Sequence, residues 1–459
     1  MPHSPILSPD ALRPLAQHIL ELSTANTVSV DIEHRALGTA HVARGIVEIN
    51  ESGDRLWLQI ALRFGRRASM SLRINQIDSE SLRQAVRYLE QVALEQVGDP
   101  IDIPLTVPPR TYLPNTTWYP SGVHAFDDAR HAAIETLVSP LRAAGLTTSA
   151  FVGVMLRSRL HADKRGIVVA GQETDNEVTV TAWNPDGKGS GWAGQAAREW
   201  SSLDLAALSD RVIHLTKLSA NPVTVEPGRR TVILDRPAVV QFVSGMGWAF
   251  SAGSAFGGGP LYDRAARRPR LGERIFDARI TLSSDPNDPE GGYLPFNGSG
   301  LPLVAMRWVK PGGVLEHLAY STEAALQHGV SPANDPPESL RLECAPRTAT
   351  ATVEEMIANC KDGIYVNRLA GVNSVSDSAA GMQTGVTNGG CFLIRNGKID
   401  KPIVDLRFVE SPWLMLNRVE AIGTAQRTAR GYGGWPTAPT IVPPLMIRDF
   451  NFAALAAAV

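Results

Sequence analysis

The stretch RTVILDRPAVVQFVSGMGWAF, residues 230–250, decides the fold of the second half of the chain. Thr231–Leu234 is a short apolar run typical of a buried strand, and we predict a helix over Pro237–Phe250 directly after it. From about Arg229 onward, short strands alternate with turns, which predicts a large β-rich C-terminal domain over residues 227–459. The predicted strands of this domain are Thr231–Leu234, Leu303–Val309, Gly363–Val366, Cys391–Ile394 and Pro402–Phe408.

A second helix of this half is marked by the residues at its N-terminus. Thr352 precedes the predicted helix Val353–Lys361, and Glu355 follows Thr352 after three residues. This spacing is a capping box, in which each side chain satisfies a backbone N–H group of the first turn. Apart from these two helices, the C-terminal segment is mostly strand and turn.

The residues before 227 form two segments with one plan, in which helices flank a run of strands. The first segment, residues 1–105, has a helix capped by Ser8, four strands and a second helix after Asp78. The middle segment, residues 106–226, repeats this plan with three strands between two helices, after a proline-rich linker over Pro100–Pro120. The predicted fold class is α+β, with two α/β-type N-terminal units (helices on antiparallel sheets) before the β-rich domain. The predicted strands of the two units are Val28–Ile32, Ile46–Ile49, Leu56–Leu62, Met70–Ile74, Ala150–Arg159, Gly166–Ala170 and Glu177–Trp183.

Composition excludes several classes of protein. A length of 459 residues predicts two or three domains. The net charge of −2 gives no long-range attraction to nucleic acid or anionic membrane, and no apolar stretch reaches the ~18–20 residues that cross a bilayer. The N-terminus has no secretory signal, so we predict a cytoplasmic protein. Three widely spaced cysteines (Cys344, Cys360 and Cys391) predict reduced thiols without a disulfide framework.

No catalytic constellation emerges from the residues alone. The ten histidines include no pair four residues apart, so the helical His-Glu-x-x-His zinc pattern is absent. His124 and His131 stand two helical turns apart, roughly 10 Å, which is too far for one zinc ion. Gly-x-Ser-x-Gly does not occur. The run Gly189–Gly194 has the letters of a dinucleotide fingerprint but follows a turn, which favours a flexible connection.

An ordered set of motifs resembles the TldD/PmbA family of peptidase-related proteins. Arg230–Asp235 resembles the strand before the family's metal-binding helix, and Gly291–Phe296 resembles its GGxxSxPFD turn. The other matches are Leu271-Gly272-Glu273 with Ile280-Thr281-Leu282 and Asp285-Pro286 (LGE…VTV…DDP), Gly363-Ile364-Tyr365-Val366 (GLYV), Ile394–Ile399 (IENGEI) and Gly189-Ser190-Gly191 (GSG). The resemblance extends over nearly the whole chain and implies the fold of the family.

The departures from the family pattern concern metal binding. Active TldD-type subunits of the family carry His-Glu-x-x-x-His on the helix that follows this strand, and a cysteine near the C-terminus as a further metal ligand. Here the helix has no histidine, glutamate or cysteine, Gly431–Trp435 stands in the region of the late cysteine, and Phe296–Gly300 replaces the acidic FDDEG turn. The resemblance implies a TldE-like subunit with no catalytic residue and no metal ligand of its own. The residues of the degenerate metal-site helix are Val243, Ser244, Gly245, Met246, Gly247 and Trp248.

The function implied by the resemblance is that of one half of a heterodimer. A TldD-like metallopeptidase partner would supply zinc, and the pair would act in proteolysis of unfolded or modified peptides. This chain would bind no cofactor and would help to enclose an extended peptide by strand addition. No nucleic-acid or membrane partner is expected, and a homodimer is the other arrangement left open. The predicted peptide-groove residues are Gly257, Gly258, Gly259, Phe296, Asn297 and Ser299.

Two other functions are left open by the sequence. One is a metal-independent, peptide-modifying enzyme on the same scaffold, with the candidate residues Ser251, Ser254, Tyr262, Asp263 and Cys391. The other is a non-catalytic regulatory or binding protein. For this second alternative, the absence of a basic patch argues against direct contact with DNA.

Overall fold

The computed structural model describes residues 5–43, 46–65, 67–96, 111–330, 334–375, 380–431 and 439–456, without the side chains of residues 47–51, 127 and 128. The α+β class predicted from the sequence is confirmed. The first half of the chain contains α1 (Pro9–Leu22), β1 (Thr27–Ala43), β2 (Ile46–Arg63), β3 (Met70–Ile74), α2 (Ser79–Leu94), α3 (Pro120–His124), α4 (Arg130–Ala143), β4 (Thr147–Asp163), β5 (Val168–Trp183), β6 (Ser190–Ala197) and α5 (Leu205–Leu218).

These strands form one antiparallel sheet of six strands in the order β3-β2-β1-β4-β5-β6. Strand β1 pairs with β4 from Ser29 opposite Asp163 to Val42 opposite Ala150. The strands of the first and middle segments therefore share one sheet, a pairing that the sequence analysis did not predict. The domain boundaries at residues 105 and 226 stay predictions.

The two faces of this sheet differ in chemistry. Alternate residues of β1 and β4, such as Val30, Ile32 and Leu160, are buried and pack with apolar side chains of α1 and α2. Further along the sheet, α4 and α5 cover the same face through Leu137 and Val212. The opposite face has charged side chains at alternate positions and lies against the C-terminal part of the chain, so the sheet is covered on both sides.

The second half of the chain is rich in short strands. It contains β7 (Gly228–Leu234), α6 (Arg236–Val243), α7 (Ala252–Phe256), β8 (Tyr262–Asp263), β9 (Arg268–Pro269), β10 (Ile280–Ser284), β11 (Met306–Lys310), β12 (Val314–Leu315), α8 (Thr322–His328), β13 (Leu340–Cys344), α9 (Val353–Asn359), β14 (Asp362–Ser374), β15 (Gln383–Arg395), β16 (Lys398–Pro402), β17 (Leu406–Glu410), α10 (Pro412–Met415), β18 (Val419–Ile422), β19 (Gln426–Arg427), β20 (Thr440–Val442) and β21 (Leu445–Leu455).

Five of these strands form a closed sheet. Strands β14-β7-β21-β17-β15 are neighbours in this order, and the last strand, β15, also pairs with the first, β14. A second sheet has the order β12-β11-β10-β13-β20-β19. Helix α6 is buried between these elements, where Phe242 packs edge-on against Phe408 and Phe450 with ring centroids 5.3 and 6.3 Å apart. The helix thus forms part of the core of this half.

Several local predictions can be compared with the structure. The capping box of Thr352 and Glu355 at the start of α9 is confirmed. The prediction that Gly189–Gly194 is a flexible connection was wrong, because Ser190–Ala197 is strand β6 and pairs with β5. A Cβ atom at Gly191 would lie 2.6 Å from Thr216 Oγ1, so glycine lets β6 approach α5 closely. No helix of the described ranges has the length and apolar character needed to cross a membrane.

Candidate functional site

The predicted metal-site helix is shorter than the sequence suggests. Asp235 caps α6 by accepting a hydrogen bond of 2.7 Å from Arg236 N, but the α-helix ends at Val243 instead of Phe250. A turn over residues 244–246 follows, and a single 3-10 turn covers Gly247–Phe250. Gly245 and Gly247 explain this end, because glycine disfavours helix interiors and Gly247 lies directly against the Pro337 carbonyl.

The side chains of α6 and the following turn do not fit a zinc site. Val239, Val240, Phe242 and Val243 are buried in the apolar core, and Gln241 Nε2 donates a hydrogen bond of 2.7 Å to Arg430 O. Beyond the helix stand Ser244, Gly245, Met246, Gly247 and Trp248, which include no imidazole, thiolate or carboxylate. A catalytic zinc ion needs about three such protein ligands.

No other donor set within the described ranges replaces this helix. Groups of three or more His, Cys, Asp or Glu side chains that could hold a metal ion are absent among the described residues. Residues 432–435, which stand in the region of the family's late cysteine, lie outside the described residues. We therefore derive no catalytic step through a metal ion held by this chain.

The turn Phe296–Gly300 lies between the charged face of the six-stranded sheet and the C-terminal half. Phe296 and Asn297 are buried, and Asn297 Oδ1 accepts hydrogen bonds of 2.9 and 2.8 Å from Ser299 N and Leu301 N. Gly300 has a φ of 70°, and a Cβ atom there would lie 2.4 Å from the ring of His161 on β4. The asparagine thus shapes a tight turn that the glycine allows to reach the sheet.

One cavity, which we call the charged cavity, lies on the sheet side of this turn. It has a volume of about 520 Å³ and is lined by Asp31, Glu33, Arg159 and His161 of the sheet and by Ser299 of the turn. Arg159 Nε and Nη2 each donate a 3.0 Å hydrogen bond to the carboxylate of Asp31. Burial would raise the pKa of Asp31, but the neighbouring imidazole of His161, 3.7 Å away, and the charge of Arg159 hold that pKa below its ordinary value.

A second cavity, the aromatic cavity, lies on the other side of the turn and has a volume of about 480 Å³. Its walls include the rings of Tyr293, Trp308 and Tyr320, and Trp308 Nε1 donates a 2.9 Å hydrogen bond to Ser284 Oγ. Its remaining lining residues include Asn297, Pro302, Leu303, Val304, Met306, Asp335 and Glu338. An apolar cavity with a few converging polar groups is the usual form of a small-ligand site.

Behind the charged cavity, a network of buried ion pairs crosses the sheet. Arg157 Nη2 lies 2.7 Å from Glu173 Oε1, and Arg198 Nη1 lies 3.8 Å from the same oxygen. Arg427, from the C-terminal half, pairs with Asp175 on β5. Burial would raise the pKa of Glu173, but the charges of Arg157 and Arg198 outweigh it and hold that pKa below its ordinary value.

The sequence analysis missed this charged face. The signal that could have revealed it is charge at every second residue of two neighbouring strands. These residues are Arg157, Arg159 and His161 on β4, and Glu173, Asp175 and Glu177 on β5. Period-two spacing places each set on one side of the sheet.

The predicted peptide-groove residues are only partly brought together. Asn297 lines the aromatic cavity and Ser299 lines the charged cavity, while Phe296 supports the turn from inside. Residues Gly257–Gly259 line neither cavity and form the tight turn after α7, where Gly259 N donates a 3.0 Å hydrogen bond to Ser254 O. Their part in a peptide groove stays a prediction.

The candidate residues for a metal-independent reaction do not form a nucleophile–base pair. Ser251 Oγ caps α7 by accepting from Ser254 N at 3.1 Å and donates to Trp248 O at 2.8 Å. Asp263 Oδ1 accepts hydrogen bonds from two backbone N–H groups of the turn between β8 and β9. Cys391 is buried in β15, and burial raises the pKa of its thiol well above the ordinary value, which opposes thiolate formation.

Comparison with known proteins defines the class. Residues 227–454 match the family model described as the PmbA/TldA metallopeptidase C-terminal domain. The structure superposes on TldE from Thermococcus kodakarensis with a TM-score of 0.78 over 96% of this chain and 99% of that chain, at 15% identity. This is the fold of a metallopeptidase-related protein. The chain belongs to the TldD/PmbA family.

A curated relative matches at the level of sequence. Over 202 residues, the chain is 23% identical to a protein of Archaeoglobus fulgidus that is named a metalloprotease. The match covers 42% of this chain and 45% of that protein, so it spans less than half of the relative's length. Activity, substrates and partners of the present chain are therefore proposals.

Proposed function

We propose that this chain is the TldE-like, non-metal-binding subunit of a heterodimeric TldD/TldE-type metallopeptidase that degrades unfolded or modified peptides. One observation carries the proposal. In a family described as metallopeptidases, the helix after β7 offers buried Val239, Val240 and Phe242 where zinc ligands are required. Zinc and the water that it activates would then be held by a TldD-like partner.

The part of this chain in the heterodimer is to help enclose the peptide. The turn Phe296–Gly300 supports this, because it has a cavity on each side and exposes Gly298 and Ser299 between them. An extended peptide lying along this turn would contact Asn297 of the aromatic cavity and Ser299 of the charged cavity. The proposed role of this chain is therefore peptide binding, and the hydrolytic step belongs to the partner.

Co-expression tests the proposal. A tagged full-length chain is co-expressed with a TldD-type relative that carries His-Glu-x-x-x-His, and the complex is purified by the tag. We expect a 1:1 complex by light scattering, about one zinc ion per heterodimer, and cleavage of an unfolded peptide that is lost in excess chelator. The control is the same complex with both histidines of the partner's motif replaced by alanine, which should assemble but neither bind zinc nor cleave.

Two outcomes would overturn the proposal. One is a stable homodimer that excludes the TldD-type relative at equal concentrations. The other is stoichiometric zinc in the purified chain without a partner, together with chelator-sensitive cleavage by that chain. The cytoplasmic location remains a prediction that fractionation of native cells would test.

A further inference from the structure

The aromatic cavity is lined by carboxylates that have no ion-pair partner in the described part of the chain. Asp335 and Glu338 line the cavity, and neither forms an ion pair with a described lysine, arginine or histidine. The described residues that line the cavity include one histidine, His317, but no lysine and no arginine. Glu316 also lines it, but Arg307 binds that carboxylate through hydrogen bonds of 2.6 and 3.0 Å.

Two arginines of the sheet face lie near these carboxylates, but each forms its ion pair with another carboxylate. Arg159 is near enough to lower the pKa of Asp335, but it is already bound to Asp31 by two hydrogen bonds. Burial has the larger effect and raises the pKa of Asp335 above its ordinary value. Arg157 is likewise near Glu338 and is paired with Glu173. Asp335 is half-buried and Glu338 is exposed, so a cation placed beside this pair would stabilise mainly the partly desolvated carboxylate of Asp335.

A buried amide in the same cavity also lacks a partner. Asn297 is 2% exposed, and its Oδ1 atom is occupied by two backbone N–H groups of the turn. The Nδ2 atom has no partner within hydrogen-bond geometry among the described residues, although Asn297 lies near enough to Asp335 to lower the pKa of that carboxyl. A buried donor without a protein acceptor favours an acceptor on a bound ligand.

We propose that the aromatic cavity binds a cationic group of an extended peptide, with the positive charge at Asp335 and Glu338 and a peptide carbonyl accepting from Asn297 Nδ2. The choice of a peptide as the carrier of the cation rests on the proposed function. A lysine or arginine side chain and a free amino terminus present the same chemistry to the cavity.

The walls of the cavity suit a cation better than the alternatives. Aromatic faces carry partial negative charge and attract an ammonium or guanidinium group, and the rings of Tyr293, Trp308 and Tyr320 line the cavity. An anion would be repelled by Asp335 and Glu338, and a neutral apolar group would bury these carboxylates without a partner. The charged cavity lacks this preference because arginines line it too, and two of its carboxylates are paired there: Asp31 with Arg159 and Asp163 with Arg165.

Titration calorimetry with the purified full-length chain tests the proposal. The probes are three tetrapeptide amides of equal length: an acetylated peptide with one central lysine, the same peptide with glutamine, and the glutamine peptide with a free amino terminus. We expect both cationic peptides, or one of them, to bind about tenfold more tightly than the neutral peptide. The tighter of the two identifies the source of the cation.

Two variants and one control assign the effect to the cavity. Asp335→Asn and Glu338→Gln each remove one negative charge with little change of shape, and each should weaken the cationic peptide by about threefold or more without affecting the neutral one. Glu354→Gln removes an exposed carboxylate on α9, away from the cavity, and should change binding by less than about twofold. Unfolding midpoints of all variants show whether the fold is retained.

The outcomes are decisive in both directions. Equal affinity for the lysine and glutamine peptides, no binding of any peptide, or unchanged affinity in both carboxylate variants would overturn the proposal. Cation-selective binding by a chain that forms no complex with a TldD-type relative would keep the cavity assignment and remove the subunit assignment. Assembly with that relative, together with equal binding of cationic and neutral peptides, would keep the subunit assignment and remove the cavity assignment.

Discussion

Tyr365 donates a hydrogen bond of 2.7 Å to Asp235 Oδ2, the carboxylate at the start of α6. Arg211 of α5 donates to the same oxygen, also at 2.7 Å. The carboxylate nearest to the family's metal-site helix is therefore committed to joining α5, α6 and β14, three elements that are distant in the sequence. Its role is structural, because both of its strong partners belong to the scaffold.

Replacement of Tyr365 by phenylalanine tests this relationship. The variant leaves the buried Asp235 carboxylate without one of its two side-chain donors, so we expect the free energy of unfolding to fall by about 1–3 kcal/mol. Urea denaturation measures the change. The matched control is Tyr262→Phe, whose hydroxyl forms no hydrogen bond with the described residues and whose loss should change stability by less than about 0.5 kcal/mol. Equal effects of the two variants would contradict the assignment.

The turn after α6 allows a matched pair of glycine substitutions. A Cβ atom at Gly247 would lie 2.6 Å from the backbone oxygen of Pro337, whereas the nearest atom to a Cβ at Gly245 is 3.8 Å away. Gly247→Ala should lower the free energy of unfolding by about 1–3 kcal/mol through this clash. Gly245→Ala should be neutral or stabilise by up to about 1 kcal/mol, because it restricts the unfolded chain. Differential scanning calorimetry distinguishes the two, and destabilisation by Gly245→Ala alone would refute this account.

Buried and exposed ion pairs should respond differently to loss of charge. Glu173→Gln removes the carboxylate that the buried cations of Arg157 and Arg198 share and leaves Arg157 only the more distant Glu33, so we expect a loss of about 3–5 kcal/mol in the free energy of unfolding. Glu80→Gln breaks an exposed pair with Arg83 on α2 and should leave the urea midpoint nearly unchanged. A small effect of Glu173→Gln would show that the ion-pair network can be satisfied in another way.

Asp405 gives the chain a specific dependence on pH. Burial raises the pKa of its carboxyl from an ordinary value of 3.8 to about 6. The 2.8 Å hydrogen bond that Thr387 Oγ1 donates to this carboxyl lowers the pKa, but its effect is the smaller one. Between these two values the folded state binds the proton more tightly than the unfolded state, so stability contributed by the protonated group is lost as pH rises. Asp405→Asn should therefore be more stable than the parent at pH 7 and should flatten the stability profile between pH 4 and 6. If stability depends on pH in the same way in the variant and the parent, Asp405 does not cause this pH dependence.

Local features of the site were largely predictable from the sequence, and their placement was not. The Phe296–Gly300 turn was recognised from its letters, but its contact with His161 on β4 joins residues more than a hundred positions apart. Asp335 and Glu338 carry no motif, and they matter only because folding places them beside Tyr293 and Trp308. The shorter α6 likewise depends on Pro337, a residue remote in sequence.

The sequence by itself determined the α+β class, the capping box at Thr352 and the set of side chains available on the helix after β7. These properties are local: they depend on residue identity and on spacing along one element. Only the tertiary structure decided that β1 pairs with β4, that one face of the shared sheet is closed by the C-terminal half, and that two cavities flank one turn. Periodicity records which residues are buried, but the choice of partner strand depends on the packing of the whole chain.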